Sequence, residues 1–324
     1  MDFPANPVVA VTHADPYPYY RMLAAERPFA FHSEVNAWVA AGASAVNAVL
    51  ANPECHVRPR AELVPKAFVG TPVGRIFQEL ARVTEGKRHE SGRSAVLQRV
   101  SGWSEGHIAH AAEEVWSSIS GVSEVMWRFP AWVLARLMGF EVRDLMTIAE
   151  QVEAFAMGIS PGADLHIYLD KGNVAAERLW ERFSSLGTPF EIANAIGILS
   201  QSFEATGGWI GNTLVALSGH QVPAAEIRGA VVRVSKVDPA VHNTRRFVNA
   251  ETVIQGVHLK AGDVIILILA STTEQLFGEG GHQCVAERLA GSIVSEGVRR
   301  LNGTVTVARP IRYRASLNIR IPLL

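Results

Sequence analysis

The residues best suited to chemistry gather around Cys284. The stretch FGEGGHQCVAERLA, Phe277 to Ala290, packs Gly278, Gly280 and Gly281 into four positions and then places one of the chain's two cysteines ahead of what reads as a helix. A cysteine at a helix N-terminus feels unsatisfied backbone N–H groups and the positive end of the dipole, and both favour thiolate over thiol. Glycines carry no side chain, so a flat, bulky ligand can approach the backbone closely. Three readings of Cys284 stand side by side. It is an inert cysteine buried in a glycine turn, a nucleophile, or an axial thiolate that pushes electron density into a metal-bearing macrocycle. The nucleophile lacks an identifiable histidine partner, since His282, two residues away, does not establish a dyad.

Other polar residues stand out by spacing. His89 and Arg93 are four apart, which puts both on one face of a helix; the alternative is a solvated surface pair. Glu204 sits in a long, almost wholly apolar run, where an acid needs a reason, and a hydrogen bond to backbone is one. His107 and His110 could share a face toward zinc, but no ligand cluster accompanies them. There is no phosphate loop and no dinucleotide fingerprint, because the glycine run follows a turn and precedes a cysteine.

The elements that must carry these residues are mostly helical. Among the 324 residues 48% are hydrophobic and 19% charged, enough for a large core, and no repeat or linker interrupts the chain, so residues 1–324 are expected to form a single domain. A formal net charge of -1 gives no electrostatic reason to expect DNA, RNA or an anionic membrane as partner. With no basic segment leading into an apolar run, a cytoplasmic location without a membrane anchor is expected. Helices are predicted at 16–25, 44–50, 89–100, 108–119 and 131–138, a strand at 36–39, and loop from Val57 to Pro72. The clearest helix is 189–217, with Thr188 as N-cap, Pro189 at the first position and Gly219 past the end. Strands are predicted at 257–259 and 264–270 as a pair around the turn Lys260 to Asp263, with a second antiparallel pair at 304–308 and 316–321. Leu289, Ile293, Val294, Val298 and Leu301 mark the apolar face of a helix that Gly303 stops.

Phe277-Gly278-x-Gly280-x-His282-x-Cys284 closely resembles the heme-binding loop of the cytochrome P450 heme-thiolate monooxygenases. The likeness extends over most of the chain. DPYPYYRMLAAERPF (15–29) and VLANPECHVRP (49–59) resemble the family's N-terminal segments, PAWVLARLMGFE (130–141) one of its helices, and DPAVHNTRRFV (238–248) the segment after its Glu-x-x-Arg helix. The resemblance implies a mainly α, triangular fold with a small β region, shortened here, and heme b between the long helix and the cysteine loop. It implies Cys284 as the axial ligand, with Phe277 beside the thiolate and Gly278 and Gly280 shaping the loop. It also implies His89, Arg93, Arg246 and His282 around the heme propionates.

Three departures qualify that likeness. The Glu-x-x-Arg positions fall on Arg233 and Lys236, two cations, so Arg233 is expected to be exposed or paired elsewhere. Only STTEQL separates Ala270 from Phe277, and the region Gly158 to Gly187 is brief. In QSFEATGG (201–208) the family's acid is Glu204, but Ala205 takes the place of its alcohol and Thr206 lies one residue on. One residue is about 100° around a helix, so Thr206 substitutes only if the helix is distorted. The resemblance implies oxidation of a small organic or natural-product substrate with dioxygen, using electrons from a ferredoxin or flavoprotein reductase. The departures keep two alternatives: a heme enzyme that uses peroxide or works redox-neutrally, and a non-catalytic relative that binds a ligand or partner. An open pocket formed by 57–73 and 158–171 would suit a carrier-bound substrate or a partner protein.

Overall fold

The computed structural model describes residues 3–160 and 165–324. In chain order the elements are α1 (Tyr17–Glu26), β1 (Phe29–His32), β2 (Ala37–Ala41), α2 (Ala43–Leu50), β3 (Cys55–His56), α3 (Pro72–Phe77), α4 (Gly86–Ser101), α5 (Glu105–Trp116) and α6 (Val122–Trp127). There follow α7 (Phe129–Leu137), α8 (Leu145–Gly158), α9 (Leu165–Arg182), α10 (Pro189–Ala216), α11 (Ile227–Val237), β4 (Asn243–Val248), β5 (Thr252–Ile254), β6 (Val257–Leu259), β7 (Val264–Ile268) and α12 (Glu287–Leu301). The fold is mainly α with a small β region, as expected. No helix among the described residues is long and apolar enough to cross a membrane.

The chain divides into two compact units. The first comprises Met1–Leu63, Val234–Cys284 and Ala308–Leu323. Its five-stranded sheet has the order β1-β2-β7-β4-β3, with β2 and β7 parallel and the other neighbours antiparallel. Successive side chains of a strand point to opposite faces. Ile265 and Leu267 of β7 accordingly join Val46 and Val49 of α2 in one core cluster, while Ile266 and Ile268 join Tyr20 and Leu23 of α1 in another. A strand buried on both faces reads as a continuous apolar run, which is why 264–268 is VIILI rather than alternating.

That double burial also corrects the strand pairing expected from sequence. β7 takes its partners from β2 and β4, whereas β6 pairs with β5, so the two runs around Lys260 to Asp263 lie in different sheets. The turn itself is present, with the Lys260 N–H donating to the Asp263 carboxylate at 2.8 Å. The β5–β6 hairpin is closed by Gln255 and Gly256 at φ 51° and 77°, the left-handed pair that two-residue hairpins require. Nor do 304–308 and 316–321 form a strand pair. Residues 313–322 make only the isolated bridges Val241–Ile319 and Tyr313–Pro322.

A buried polar group fastens this unit. Arg320, 2% exposed, donates to Asp238 at 3.0 Å and to the carbonyls of Val11, His13 and Ala14 at 3.1, 2.7 and 3.1 Å. Tyr17 donates to the same carboxylate, and Tyr20 Oη lies 2.9 Å from His242 Nδ1. The C-terminal stretch is thereby tied to the segment before α1. Burial pushes the Asp238 carboxyl up despite the guanidinium beside it.

The second unit comprises Val64–Arg233, Val285–Val307 and Leu324. Its axis is α10, which packs against α4, α6, α7, α8 and α12. Thr188 caps it: the Glu191 N–H donates to Thr188 Oγ1 at 3.4 Å and the Thr188 N–H returns to the Glu191 carboxylate at 2.7 Å. Gly219 beyond its end has φ 73°. Gly207 lets α6 approach closely, since a Cβ there would lie 2.5 Å from the Met126 carbonyl oxygen. Trp209 anchors the next turn by donating to the Val231 carbonyl at 3.0 Å.

Candidate functional site

The Cys284 loop is folded by its own backbone. The Gly278 N–H donates to the Gln275 carbonyl at 2.9 Å, the Gln283 N–H to the Gly280 carbonyl at 3.2 Å and the Cys284 N–H to the Phe277 carbonyl at 2.9 Å. Gly278 and Gly280 sit at φ 74° and 69°, a conformation that side chains make costly. Gly280 to His282 form one short 3-10 turn, and Cys284 follows two residues later, two ahead of Ala286, the N-cap of α12. The Cys284 side chain is exposed, which removes the reading of an inert buried thiol. Phe277 and His282 are half-buried beside it in sequence. Cys55 supplies the contrast: it lies in the sheet core, and desolvation pushes its thiol up to about 11.

Arg246 belongs to the same unit, on β4 opposite Ile265. It is only 7% exposed, and its guanidinium donates to the Arg245 carbonyl at 2.9 Å. The other sequence-derived residues lie in the second unit. His89 and Arg93 are one turn apart on α4, His89 7% exposed and Arg93 half-buried. His89 Nδ1 lies 2.8 Å from the Ala81 carbonyl oxygen. Glu204 is half-buried on α10 and Thr206 is 3% exposed. The helix is unbroken through Gly207-Gly208, so Thr206 stays about 200° around the axis from Glu204. The distortion that would bring the Thr206 hydroxyl into the place of Ala205 is absent. Arg233 and Lys236 are both exposed on α11, as two cations at the Glu-x-x-Arg positions require.

The donor set narrows the chemistry. Among the described residues no group of three or more His, Cys, Asp or Glu is placed to hold a metal ion. His107 instead completes the cap of α5, its N–H donating to Ser104 Oγ at 3.2 Å. An ion bound by protein alone needs three or four ligands. One accessible cysteine sulfur suits a metal that brings its remaining ligands in a macrocycle. The residues present therefore fit a heme.

Asn194 was the polar residue whose role the sequence did not disclose. Its signal was a carboxamide in an apolar helix; one of its hydrogen bonds stays within α10, to the Phe190 carbonyl, and the two to Glu79 and Ala81 appear only when the turn before α4 is placed against α10.

No family model matches the chain. In sequence it is 22% identical over 342 aligned positions to a protein of Xylella fastidiosa (strain 9a5c) that carries the provisional name cytochrome P450 133B1, covering 85% of each chain. In structure it superposes on P450BioI, solved in complex with an acyl carrier protein ligated by hexadec-9Z-enoic acid. The TM-score is 0.80 at 17% identity, over 95% of this chain and 96% of that one. It superposes on cytochrome P450 PksS of the Bacillus subtilis 168 bacillaene polyketide synthase with TM-score 0.77 at 15% identity, over 96% and 95%. Sequence relationship and architecture agree: the chain is a relative of the cytochrome P450s and has their fold.

Proposed function

We propose that the chain is a heme-thiolate oxidoreductase that monooxygenates a small organic or natural-product substrate. The observation that carries this reading is the exposed Cys284 thiol, presented by a glycine-shaped loop on a cytochrome P450 fold. Bound heme b supplies the oxidising chemistry, using dioxygen and electrons from a ferredoxin or flavoprotein reductase. Cys284 holds the iron as a thiolate, and Phe277 shields the sulfur. His89, Arg93, Arg246 and His282 meet the propionate charges. Glu204 holds and hands on a proton at its carboxylate; Thr206 joins that relay only through a shift of α10 about Gly207-Gly208. The whole chain works as one heme-thiolate domain.

A second reading is favoured by the regularity of α10, which leaves Ala205 where the alcohol is expected and Thr206 on another face. Such a site suits peroxide or redox-neutral chemistry. For the substrate's form, the carrier-bound fatty acid of P450BioI supports a carrier protein as the presenting partner.

Turnover of reconstituted protein with a reductase under labelled dioxygen separates the readings. The expected result is product with one labelled oxygen atom, strictly dependent on reductant, and a loss of about 100-fold in Glu204→Gln, within the range of general acid–base catalysis. Equal turnover with hydrogen peroxide alone, or without any oxidant, would move the assignment to the second reading.

A further inference from the structure

The turn that precedes α4 is clamped from two sides. On one side stands Asn194, in the second turn of α10 and 7% exposed. Its Oδ1 accepts from the Ala81 N–H at 2.8 Å, and its Nδ2 donates to the carbonyls of Glu79 and Phe190 at 2.8 and 3.0 Å. These partners fix which end of the carboxamide is oxygen, since an N–H needs an acceptor and a carbonyl needs a donor. On the other side stands α4, where Arg88 pairs with the Glu79 carboxylate at 2.5 Å and His89 Nδ1 reaches the Ala81 carbonyl oxygen at 2.8 Å.

The packing leaves the turn little freedom. A Cβ on Gly92 of α4 would lie 2.6 Å from Phe190 Cζ and 2.9 Å from Ala81 Cβ. One on Gly197 of α10 would lie 2.8 Å from Leu80 Cδ2. Both helices are thus pressed onto residues 79–81, and Leu80 is fully buried between them.

A carbonyl oxygen only accepts, so the Ala81 contact requires the proton on His89 Nδ1 and leaves Nε2 as the ring atom that addresses any further group. We propose that Asn194 is a positioning residue for His89. By accepting from the Ala81 N–H and donating to the Glu79 carbonyl, while its bond to the Phe190 carbonyl keeps the carboxamide on its own helix, it presents the carbonyl that sets the tautomer and orientation of the imidazole. The consequence for cofactor retention rests on the reading of His89 as a propionate residue; the tautomer does not.

The test uses the full chain with nitrogen-15 in its histidine rings, the His89 signals being identified by their loss in His89→Gln. In the heme-free protein the wild type should show His89 as the Nδ1–H form. Asn194→Leu should shift a measurable share to the Nε2–H form. If that variant does not fold, the smaller Asn194→Ala, which likewise removes the acceptor from the Ala81 N–H and both donations, should show the same shift. A wild-type Nε2–H ring, or an Asn194 variant with an unchanged tautomer, would overturn the proposal.

Heme titration is read separately. Asn194→Leu and His89→Gln should each weaken retention roughly tenfold, the scale of one charge-assisted hydrogen bond, with no further loss in the double variant. Additive losses would overturn the coupling of Asn194 to His89. Wild-type retention in His89→Gln would instead contradict the propionate assignment and leave the tautomer result to stand.

Discussion

At the scale of single residues, environment divides side chains that composition alone treats alike. Cys55 and Cys284 are the chain's two thiols, and only the second is exposed. Among the histidines, His242 is fully buried next to Tyr20, and desolvation first, then the Arg320 charge, lowers its affinity for a proton well below the ordinary value. The sign of the resulting pH dependence follows. Above about pH 6.5 the imidazole is neutral in folded and unfolded chains alike. As pH falls below that value the unfolded chain takes up a proton that the folded chain refuses, so stability declines by up to about 1.4 kcal/mol per pH unit until the folded pKa is reached. His242→Asn, which keeps a polar atom toward Tyr20, should therefore show a flatter loss of denaturation midpoint between pH 6.5 and 5. An identical slope in the two proteins would contradict the neutral assignment.

At the scale of elements, the fit of α6 against α10 rests on the missing side chain of Gly207. Gly207→Ala places a Cβ against backbone rather than against a movable side chain, so α6 must shift, at an expected cost of about 1–3 kcal/mol. Urea denaturation reads this directly, and an unchanged midpoint would show that α6 yields freely. Much of the element structure was legible beforehand. Thr188, Pro189 and Gly219 announced both ends of α10, because caps are local and chemically specific. The apolar face of α12 was legible for the same reason, Leu289, Ile293, Val294 and Val298 all being buried. The partners of β7 were not legible, because β2 lies more than two hundred residues away and pairing over that distance leaves no mark on either strand's own sequence. The hairpin turn at Gln255-Gly256 lacked the usual Asn or Asp signal, so β5 was missed. The cysteine loop was legible as a motif, while the Asn194 clamp was not, since it exists only once α4 and α10 share a neighbour.

At the scale of the whole molecule, the chain keeps the cytochrome P450 fold over nearly its full length, and Arg233 and Lys236, where the resemblance expects Glu-x-x-Arg, are both exposed. The first unit carries an ion pair of its own, Asp238 with the buried Arg320, reinforced by Tyr17 and three backbone carbonyls. That arrangement holds the sheet unit together without a charged side chain at Arg233 or Lys236 entering the core. The central claim is that this scaffold presents Cys284 as the thiolate ligand of a heme. The most direct measurement is the absorption spectrum of the reconstituted protein after reduction and exposure to carbon monoxide. The account expects a strongly red-shifted Soret band in the wild type that is lost in Cys284→Ser. A band at the unshifted position in the wild type, or a red-shifted band that survives in Cys284→Ser, would contradict it.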